Sequence, residues 1–292
     1  MNKNKPHWNM AIERVAVIGA GTMGAGIAQV CAQAGWTTSL FDAYPESLDK
    51  GMQRIDAFWD KGIERGKTTP AQKNEWQSNL RASGEMEDAV AGADLVIEAV
   101  PEIPKLKQAV FSQLDEFAPK HAVLGTNTSS LSIDMIAQAT SRPDKVIGMH
   151  FFNPVPIMQL LELVKHETTS QATIDFAKSA AETMGKTSIL VKDVPGFATS
   201  RLGVVLGNEA IRMLGDGVSS AVVFDSAIVL GYKHPMGPLR LTDLVGLDVR
   251  RDILLNLQRS FNDDRYAPHP LLEQMVSEGK LGKKSGQGFF QW

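Results

Sequence analysis

The chain has 292 residues, which is enough for two domains that each bury a hydrophobic core. Charged residues at 22% and hydrophobic residues at 43% are ordinary for a globular protein, and a net charge of -3 predicts no affinity for nucleic acids or anionic membranes. The single cysteine, Cys31, excludes an internal disulfide; with no export signal, membrane-spanning run or metal-ligand spacing in the sequence, we expect a cytoplasmic protein without a metal.

The first predicted strand, residues 14–19, ends in a Gly-x-Gly-x-x-Gly sequence that leads into a helix predicted over residues 23–34. Gly19 allows the tight turn out of the strand, Gly21 lets the backbone approach a pyrophosphate, and Gly24 lets the helix pack close to the sheet. The helix then directs its free amide N–H groups and its positive end at the phosphates. The pattern predicts a dinucleotide-binding loop formed by Gly19, Gly21, Thr22, Met23 and Gly24.

The second predicted strand, residues 37–42, ends in an acid, Asp42. A carboxylate at this position accepts hydrogen bonds from the adenosine ribose and repels a 2′-phosphate. The neighbouring residues Ala43 and Tyr44 offer no cation to bind such a phosphate. The predicted cofactor is therefore NAD rather than NADP.

A long insertion, residues 45–90, separates the second and third predicted strands, and its first part has the apolar spacing of a helix. Basic residues, Lys61 and Arg65 among them, line the polar side of this predicted helical arm. We interpret them either as a solvated surface or as a basic surface for an anionic part of the substrate.

Short apolar runs alternate with amphipathic segments up to about residue 191, which is typical of a parallel sheet covered by helices. After that point the alternation stops and the remaining segments indicate helices. We therefore predict an α/β fold: a Rossmann-type, mostly parallel sheet with a helical arm over residues 1–192, followed by an all-helical domain over residues 193–292. Further strands are predicted at residues 95–99, 122–125, 145–149, 158–164 and 187–191, and C-terminal helices at residues 202–214, 219–230, 239–258 and 270–278.

Oxidation of an alcohol by a nicotinamide cofactor requires a base for the hydroxyl proton, and the candidate is His150. This histidine follows the strand predicted over residues 145–149, at the edge of the sheet where α/β folds place their ligands. Glu162 falls on an apolar face of the strand predicted over residues 158–164, where an ionised carboxylate needs a partner. We predict a catalytic dyad in which Glu162 orients His150. The alternatives are a structural histidine and an edge-strand acid that reaches solvent.

The polar sequence Asn127-Thr128-Ser129-Ser130 follows the strand predicted over residues 122–125. Its hydroxyl and amide groups can bind a substrate oxygen or the nicotinamide ribose. Ser130 can equally cap a helix predicted over residues 131–139, so both interpretations stay open.

With these residues, the sequence resembles the short-chain L-3-hydroxyacyl-CoA dehydrogenases, a family that includes the bacterial 3-hydroxybutyryl-CoA dehydrogenases. The resemblance extends from Val15 to Phe290. The motifs that carry it are GAGTMGAGIAQ from Gly19, TNTSSL from Thr126, HFFNPVP from His150, DVPGF from Asp193, HPMGP from His234 and GKKSGQGFF from Gly282.

The resemblance implies NAD-dependent, reversible oxidation of an L-3-hydroxyacyl-CoA to the 3-ketoacyl-CoA, in β-oxidation or a related acyl-CoA pathway. It also implies a homodimer formed largely through the helical domain, with the acyl chain bound between domains. The site residues that it implies are His150 as base, Glu162 as its orienting carboxylate, Ser129 as a substrate-binding hydroxyl and Asn153 as a group near the nicotinamide. Glu102, Lys107 and Lys284 match further cofactor contacts of the family, Asp42 matches its ribose acid, and Lys61 and Arg65 match only a basic surface for CoA.

The chain departs from the family at Ser200, where the family often has an asparagine that helps to hold the substrate. A serine hydroxyl replaces one hydrogen bond of an amide but not its reach, so substrate preference or turnover is expected to differ. Two rival functions stay open from the sequence. One is an NAD-dependent dehydrogenase of a free hydroxy acid, and the other is a catalytically silent NAD-binding protein.

Overall fold

One mixed sheet lies at the centre of the first part of the chain in the computed structural model, which describes residues 12–292. Its strands are β1 (Arg14–Ile18), β2 (Thr37–Phe41), β3 (Leu80–Ser83), β4 (Leu95–Glu98), β5 (Val123–Thr126), β6 (Val146–Phe151), β7 (Leu160–Lys165) and β8 (Thr187–Lys192). The order across the sheet is β3-β2-β1-β4-β5-β6-β7-β8, and only β6 and β7 pair in an antiparallel way. This architecture confirms the predicted Rossmann-type α/β fold.

The central strands β1 and β4 are apolar along almost their whole length, as expected for strands covered by helices on both faces. The chain runs outward from β1 through β2 to β3 and then returns to β4 on the other side of β1. Such a reversal of strand order opens a crevice at the carboxyl ends of the two strands, which is where α/β sheets bind their ligands.

The segment of residues 45–90, expected to be a helical arm, is helical only in part. It contains α2 (Pro45–Glu64), α3 (Pro70–Ser78) and α4 (Met86–Val90), but also the edge strand β3, which the sequence did not reveal. The sequence of β3 is Leu-Arg-Ala-Ser, and most of its residues are exposed or half-buried. A short polar strand at the edge of a sheet lacks the apolar alternation on which strand prediction depends.

The other helices of this first unit are α1 (Thr22–Gln33), α5 (Pro104–Phe117), α6 (Ile133–Ala137) and α7 (Gln171–Thr183). The chain divides into two compact units between Asp193 and Val194. No helix within residues 12–292 is long and apolar enough to cross a membrane.

The second unit is helical, with α8 (Thr199–Gly215), α9 (Ala221–Ser226), a π-helical turn (Ala227–Gly231), α10 (Pro238–Val245), α11 (Leu247–Phe261) and α12 (Pro270–Ser277). The prediction of a single helix over residues 239–258 is wrong, because Gly246 separates α10 from α11. Gly246 has a φ of 110°, a conformation that residues with a Cβ rarely adopt. Leucines of α10, α11 and α12 form the core of this unit together with Val204 and Ile211 of α8 and Phe224 of α9.

Candidate active site

The glycine-rich loop between β1 and α1 has the geometry that a dinucleotide requires. Gly19 has a φ of 103°, and a Cβ there would lie 2.8 Å from the carbonyl oxygen of Ala99. A Cβ on Gly24 would lie 1.7 Å from the carbonyl oxygen of Gly19, so α1 approaches the strand as closely as it can. By contrast, a Cβ on Gly21 would meet no described atom within 4 Å. The loop is thus open where a pyrophosphate would lie, at the N-terminus of α1.

Asp42 lies at the end of β2 and braces this loop. Its Oδ2 atom accepts a hydrogen bond of 2.7 Å from the backbone N–H of Ala20, and its Oδ1 atom accepts one of 3.0 Å from Tyr44. A carboxylate has four acceptor sites, so these two bonds leave capacity for ribose hydroxyls. Thr22 and Met23 are the first two residues of α1, next to the loop. No side-chain hydrogen bond caps the N-terminus of this helix.

His150 and Glu162 are brought together by the antiparallel pairing of β6 and β7, where they are direct cross-strand partners. Nδ1 of His150 lies 2.9 Å from Oε2 of Glu162, and the acid is fully buried. Because an ionised carboxylate only accepts hydrogen bonds, Nδ1 of the imidazole is the donor in this contact. The phenyl ring of Phe152 packs on the imidazole at a centroid distance of 4.5 Å.

The loop after β5 is held by Glu102, which lies in the segment after β4. Its Oε1 atom accepts hydrogen bonds from the hydroxyl of Thr128 at 2.6 Å and from the backbone N–H groups of Ser129 and Ser130 at 2.9 and 3.0 Å. Burial opposes ionisation, but these bonds and the charge of Lys107 together hold the pKa of Glu102 below its usual value. The loop that contains Ser129 is therefore anchored to an ionised carboxylate.

Ser130 does not cap the next helix. Its hydroxyl lies 3.1 Å from Oε1 of Glu102, and α6 is instead capped by Ser132, whose hydroxyl accepts a hydrogen bond from the N–H of Met135. The helix is also shorter than predicted, because it begins only after this cap.

The turn between β6 and β7 contains Asn153, which is exposed two residues after the end of β6. The turn is fastened by Lys186, whose ammonium group donates hydrogen bonds to the carbonyl oxygens of Val155 and Met158 at 2.5 and 2.7 Å. Sequence reasoning missed Lys186, since nothing in its local sequence shows that it reaches this turn.

Two family models match the chain: the 3-hydroxyacyl-CoA dehydrogenase NAD binding domain over residues 14–194, and the 3-hydroxyacyl-CoA dehydrogenase C-terminal domain over residues 196–292. The chain is 42% identical over 279 residues to the 3-hydroxybutyryl-CoA dehydrogenase of Clostridioides difficile, covering 96% of this chain and 99% of that protein. It is 39% identical over 287 residues to the mitochondrial hydroxyacyl-coenzyme A dehydrogenase of Sus scrofa, covering 96% and 91%. The solved structure of (S)-3-hydroxybutyryl-CoA dehydrogenase from Ralstonia eutropha is similar with a TM-score of 0.93 and 38% identity, over 97% of this chain and 99% of that one.

The chain belongs to the 3-hydroxyacyl-CoA dehydrogenase family. It is an NAD-dependent oxidoreductase, in agreement with the open glycine loop and the acid at the end of β2.

Lys107, expected to contact the cofactor, is fully buried in a network that the sequence did not reveal. Its ammonium group lies 2.6 Å from Oε1 of Glu98, the last residue of β4, and 3.5 Å from Oε2 of Glu102. Glu98 also accepts hydrogen bonds from the N–H of Val100 and the hydroxyl of Thr126. Lys107 thus holds Glu98 and Glu102, and these two acids in turn bind Thr126 and Thr128 at the end of β5. The acid at the end of an apolar strand was the one signal in the sequence that could have predicted the partner of Lys107.

The other predicted residues lie on exposed or half-buried positions of the two units. Lys61 is in the last turn of α2, and Arg65 caps that helix; both are exposed. In the helical unit, Ser200 lies in the first turn of α8, and Lys284 donates a hydrogen bond of 2.6 Å to Asp248. Although partial burial opposes it, this bond from Lys284 holds the pKa of the Asp248 carboxyl below its usual value.

Proposed function

We propose that this enzyme catalyses the reversible, NAD-dependent oxidation of a short-chain L-3-hydroxyacyl-CoA, such as 3-hydroxybutyryl-CoA, to the 3-ketoacyl-CoA. The observation that carries the proposal is the contact between His150 and Glu162 at the carboxyl edge of the sheet that holds the dinucleotide loop. The names of the relatives from Clostridioides difficile and Ralstonia eutropha support the class of substrate.

In this mechanism His150 is the general base. Its Nε2 atom takes the proton of the 3-hydroxyl group, while bound NAD supplies the acceptor for the hydride from C3. Glu162 holds the imidazole through Nδ1, fixes its tautomer and stabilises the imidazolium that forms. In the reverse direction the same imidazolium returns the proton to the ketone oxygen. Burial of Glu162 makes this stabilisation strong, because the local dielectric is low.

Further polar groups bind the reactants in our proposal. Ser129 binds the substrate oxygen whose proton His150 takes, Asn153 lies near the nicotinamide, and Ser200 of the helical unit binds the substrate. Asp42 binds the adenosine ribose, and the cofactor-binding roles of Glu102, Lys107 and Lys284 follow from the family resemblance. Lys61 and Arg65 supply positive charge for the phosphates of CoA.

We also propose that the enzyme is a homodimer formed through the helical unit. Large apolar side chains are exposed on α8 and around the π-helical turn, with Leu202 and Leu230 both at 71% and Tyr232 at 75% exposure. Large apolar residues exposed together are typical of protein interfaces. Light scattering during size-exclusion chromatography would test this, and a monomeric mass would contradict it.

The activity is tested by following NADH absorbance with acetoacetyl-CoA as the oxidant. We expect oxidation of NADH with acetoacetyl-CoA, little with free acetoacetate, and a clear preference for NADH over NADPH because of Asp42. Faster reaction with the free acid would favour a dehydrogenase of free hydroxy acids. Binding of NADH without turnover of either compound would indicate a catalytically silent NAD-binding protein and contradict the proposal.

A further inference from the structure

Strand β6 extends beyond the strand beside it, and His150 lies on the part that extends. The parallel pairing of β5 with β6 ends where Thr126 meets Gly148, whereas β6 continues to Phe151. On its other side β6 stays paired with β7 as far as Phe151. On the side of β5, the backbone around His150 is therefore left without a paired strand within residues 12–292.

The side chain of Asn127 takes the place of this missing strand. Its Oδ1 atom accepts a hydrogen bond of 2.9 Å from the backbone N–H of Phe151, the residue after His150. Phe151 is buried, so this N–H needs a partner from the protein. The backbone N–H of Asn127 donates a hydrogen bond of 2.8 Å to the carbonyl oxygen of Glu98, the last residue of β4. Asn127 thus joins the ends of β4, β5 and β6 at the carboxyl edge of the sheet.

Asn127 also begins the loop that carries Ser129. The hydroxyl of Thr128 and the backbone N–H of Ser129 both donate hydrogen bonds to Oε1 of Glu102, at 2.6 and 2.9 Å. These bonds leave the backbone of the loop little freedom. The hydrogen bond from Phe151 to Asn127 then ties this loop to the strand that carries His150.

We propose that Asn127 is a positioning residue, which sets the spacing between the hydroxyl of Ser129 and the imidazole of His150. This inference rests on the proposed function, in which both groups bind the same oxygen of the substrate. Asn127 is two residues before Ser129, and its side chain holds the residue after His150. Two groups that meet on one atom tolerate little error, since a displacement of about 1 Å can slow a reaction on the order of 10²-fold.

The test compares two substitutions of nearly the same size, Asn127→Leu and Asn127→Asp. Leucine removes the acceptor for the N–H of Phe151, whereas aspartate keeps it. With acetoacetyl-CoA and NADH, kcat of Asn127→Leu should fall about 10- to 100-fold, and kcat of Asn127→Asp should stay within about 3-fold of the natural chain. Each variant is measured at its own pH optimum, so that a change in the protonation of His150 is not mistaken for a loss of alignment. Fluorescence titration should give a dissociation constant for NADH within about 2-fold of the natural value, since the glycine loop and Asp42 are unchanged.

Coupling to Ser129 separates positioning from a merely structural role. If Asn127 aligns Ser129 with His150, its loss should matter less once the hydroxyl of Ser129 is absent. Adding Asn127→Leu to Ser129→Ala should therefore lower kcat by less than about 3-fold. The same fold-loss with and without Ser129 would overturn the inference. So would an unchanged kcat in Asn127→Leu, or an Asn127→Asp variant as slow as Asn127→Leu.

Asn79→Leu is the matched control. Nδ2 of Asn79 donates a hydrogen bond of 3.1 Å to the carbonyl oxygen of Ala32, so this variant also breaks a bond between an asparagine side chain and the backbone of the first unit. It should lower the melting temperature but keep kcat, and a loss of kcat as large as that of Asn127→Leu would overturn the inference. Asn127→Ala covers the case in which Asn127→Leu fails to fold, because it removes the same acceptor without adding a branched apolar group.

The natural chain with acetoacetyl-CoA separates the two proposals. Turnover by the natural chain without a loss in the Asn127 variants would overturn only the role of Asn127. Absence of turnover by the natural chain with every thioester would overturn the proposed function itself.

Discussion

Two buried carboxylates of the first unit have a basic side chain as partner, whereas in the helical unit Arg250 is buried among leucines and its Nε atom has no hydrogen-bond partner within residues 12–292. In the first unit Glu98 meets Lys107, and Glu162 meets His150. Burying an ion costs several kcal/mol unless a partner and hydrogen bonds compensate for the lost water. The partners of Glu98 and Glu162 therefore offset the cost of burial, whereas no described group does so for Arg250.

The largest effect is expected when the pair of His150 and Glu162 is broken. Glu162→Gln keeps a group that can accept the Nδ1–H bond but removes the charge that stabilises imidazolium, so kcat should fall on the order of 10²- to 10⁴-fold. In His150→Gln, kcat should fall by a similar factor. NADH should still bind to this variant, as measured by fluorescence titration.

The double variant sharpens this prediction, because residues that act as one unit have non-additive effects. His150→Gln with Glu162→Gln should be little slower than His150→Gln alone. If the loss of kcat in the double variant equals the product of the two single losses, the two side chains act independently. Glu162 would then not act through the imidazole.

The next effect is on stability. Lys107→Met leaves the carboxylate of Glu98 buried without its cation and should lower the free energy of unfolding by about 3–5 kcal/mol. Unfolding by urea, followed by circular dichroism, measures the change. Adding Glu98→Leu to this variant should recover much of the loss, since both charges are then gone; a single variant as stable as the natural chain would show that the pair is dispensable.

Arg250→Met should have the opposite effect and raise the free energy of unfolding. The change removes a buried charge that no described group compensates and places an apolar side chain among leucines. We expect the free energy of unfolding to rise by about 1–4 kcal/mol. A clear loss of stability in the same urea experiment would show that Arg250 has a structural partner, and the contrast between the two units would then disappear.

The same side chains show which parts of the site could be predicted from the sequence. The glycine loop, Asp42 and the meeting of His150 with Glu162 were predictable, because each depends on local pattern or on the alternation of a strand. The network of Lys107 was not, since the sequence does not show that Lys107 turns inward to Glu98 or that Glu98 meets Thr126 of a neighbouring strand. The position of Arg250 was hidden as well, because a helical pattern with two adjacent arginines does not show which one faces inward.

The smallest effect tests whether burial, rather than charge alone, makes the difference. Arg251→Met removes a guanidinium of the same kind, one residue along the same helix, but one that faces solvent and pairs with the exposed carboxylate of Asp252. Ion pairs of this kind contribute little because water screens them, so the free energy of unfolding should change by less than ~1 kcal/mol. A loss as large as that of Lys107→Met would mean that the outer pairs of α11 also hold the helical unit together, and the stability gained in Arg250→Met could then not be assigned to burial.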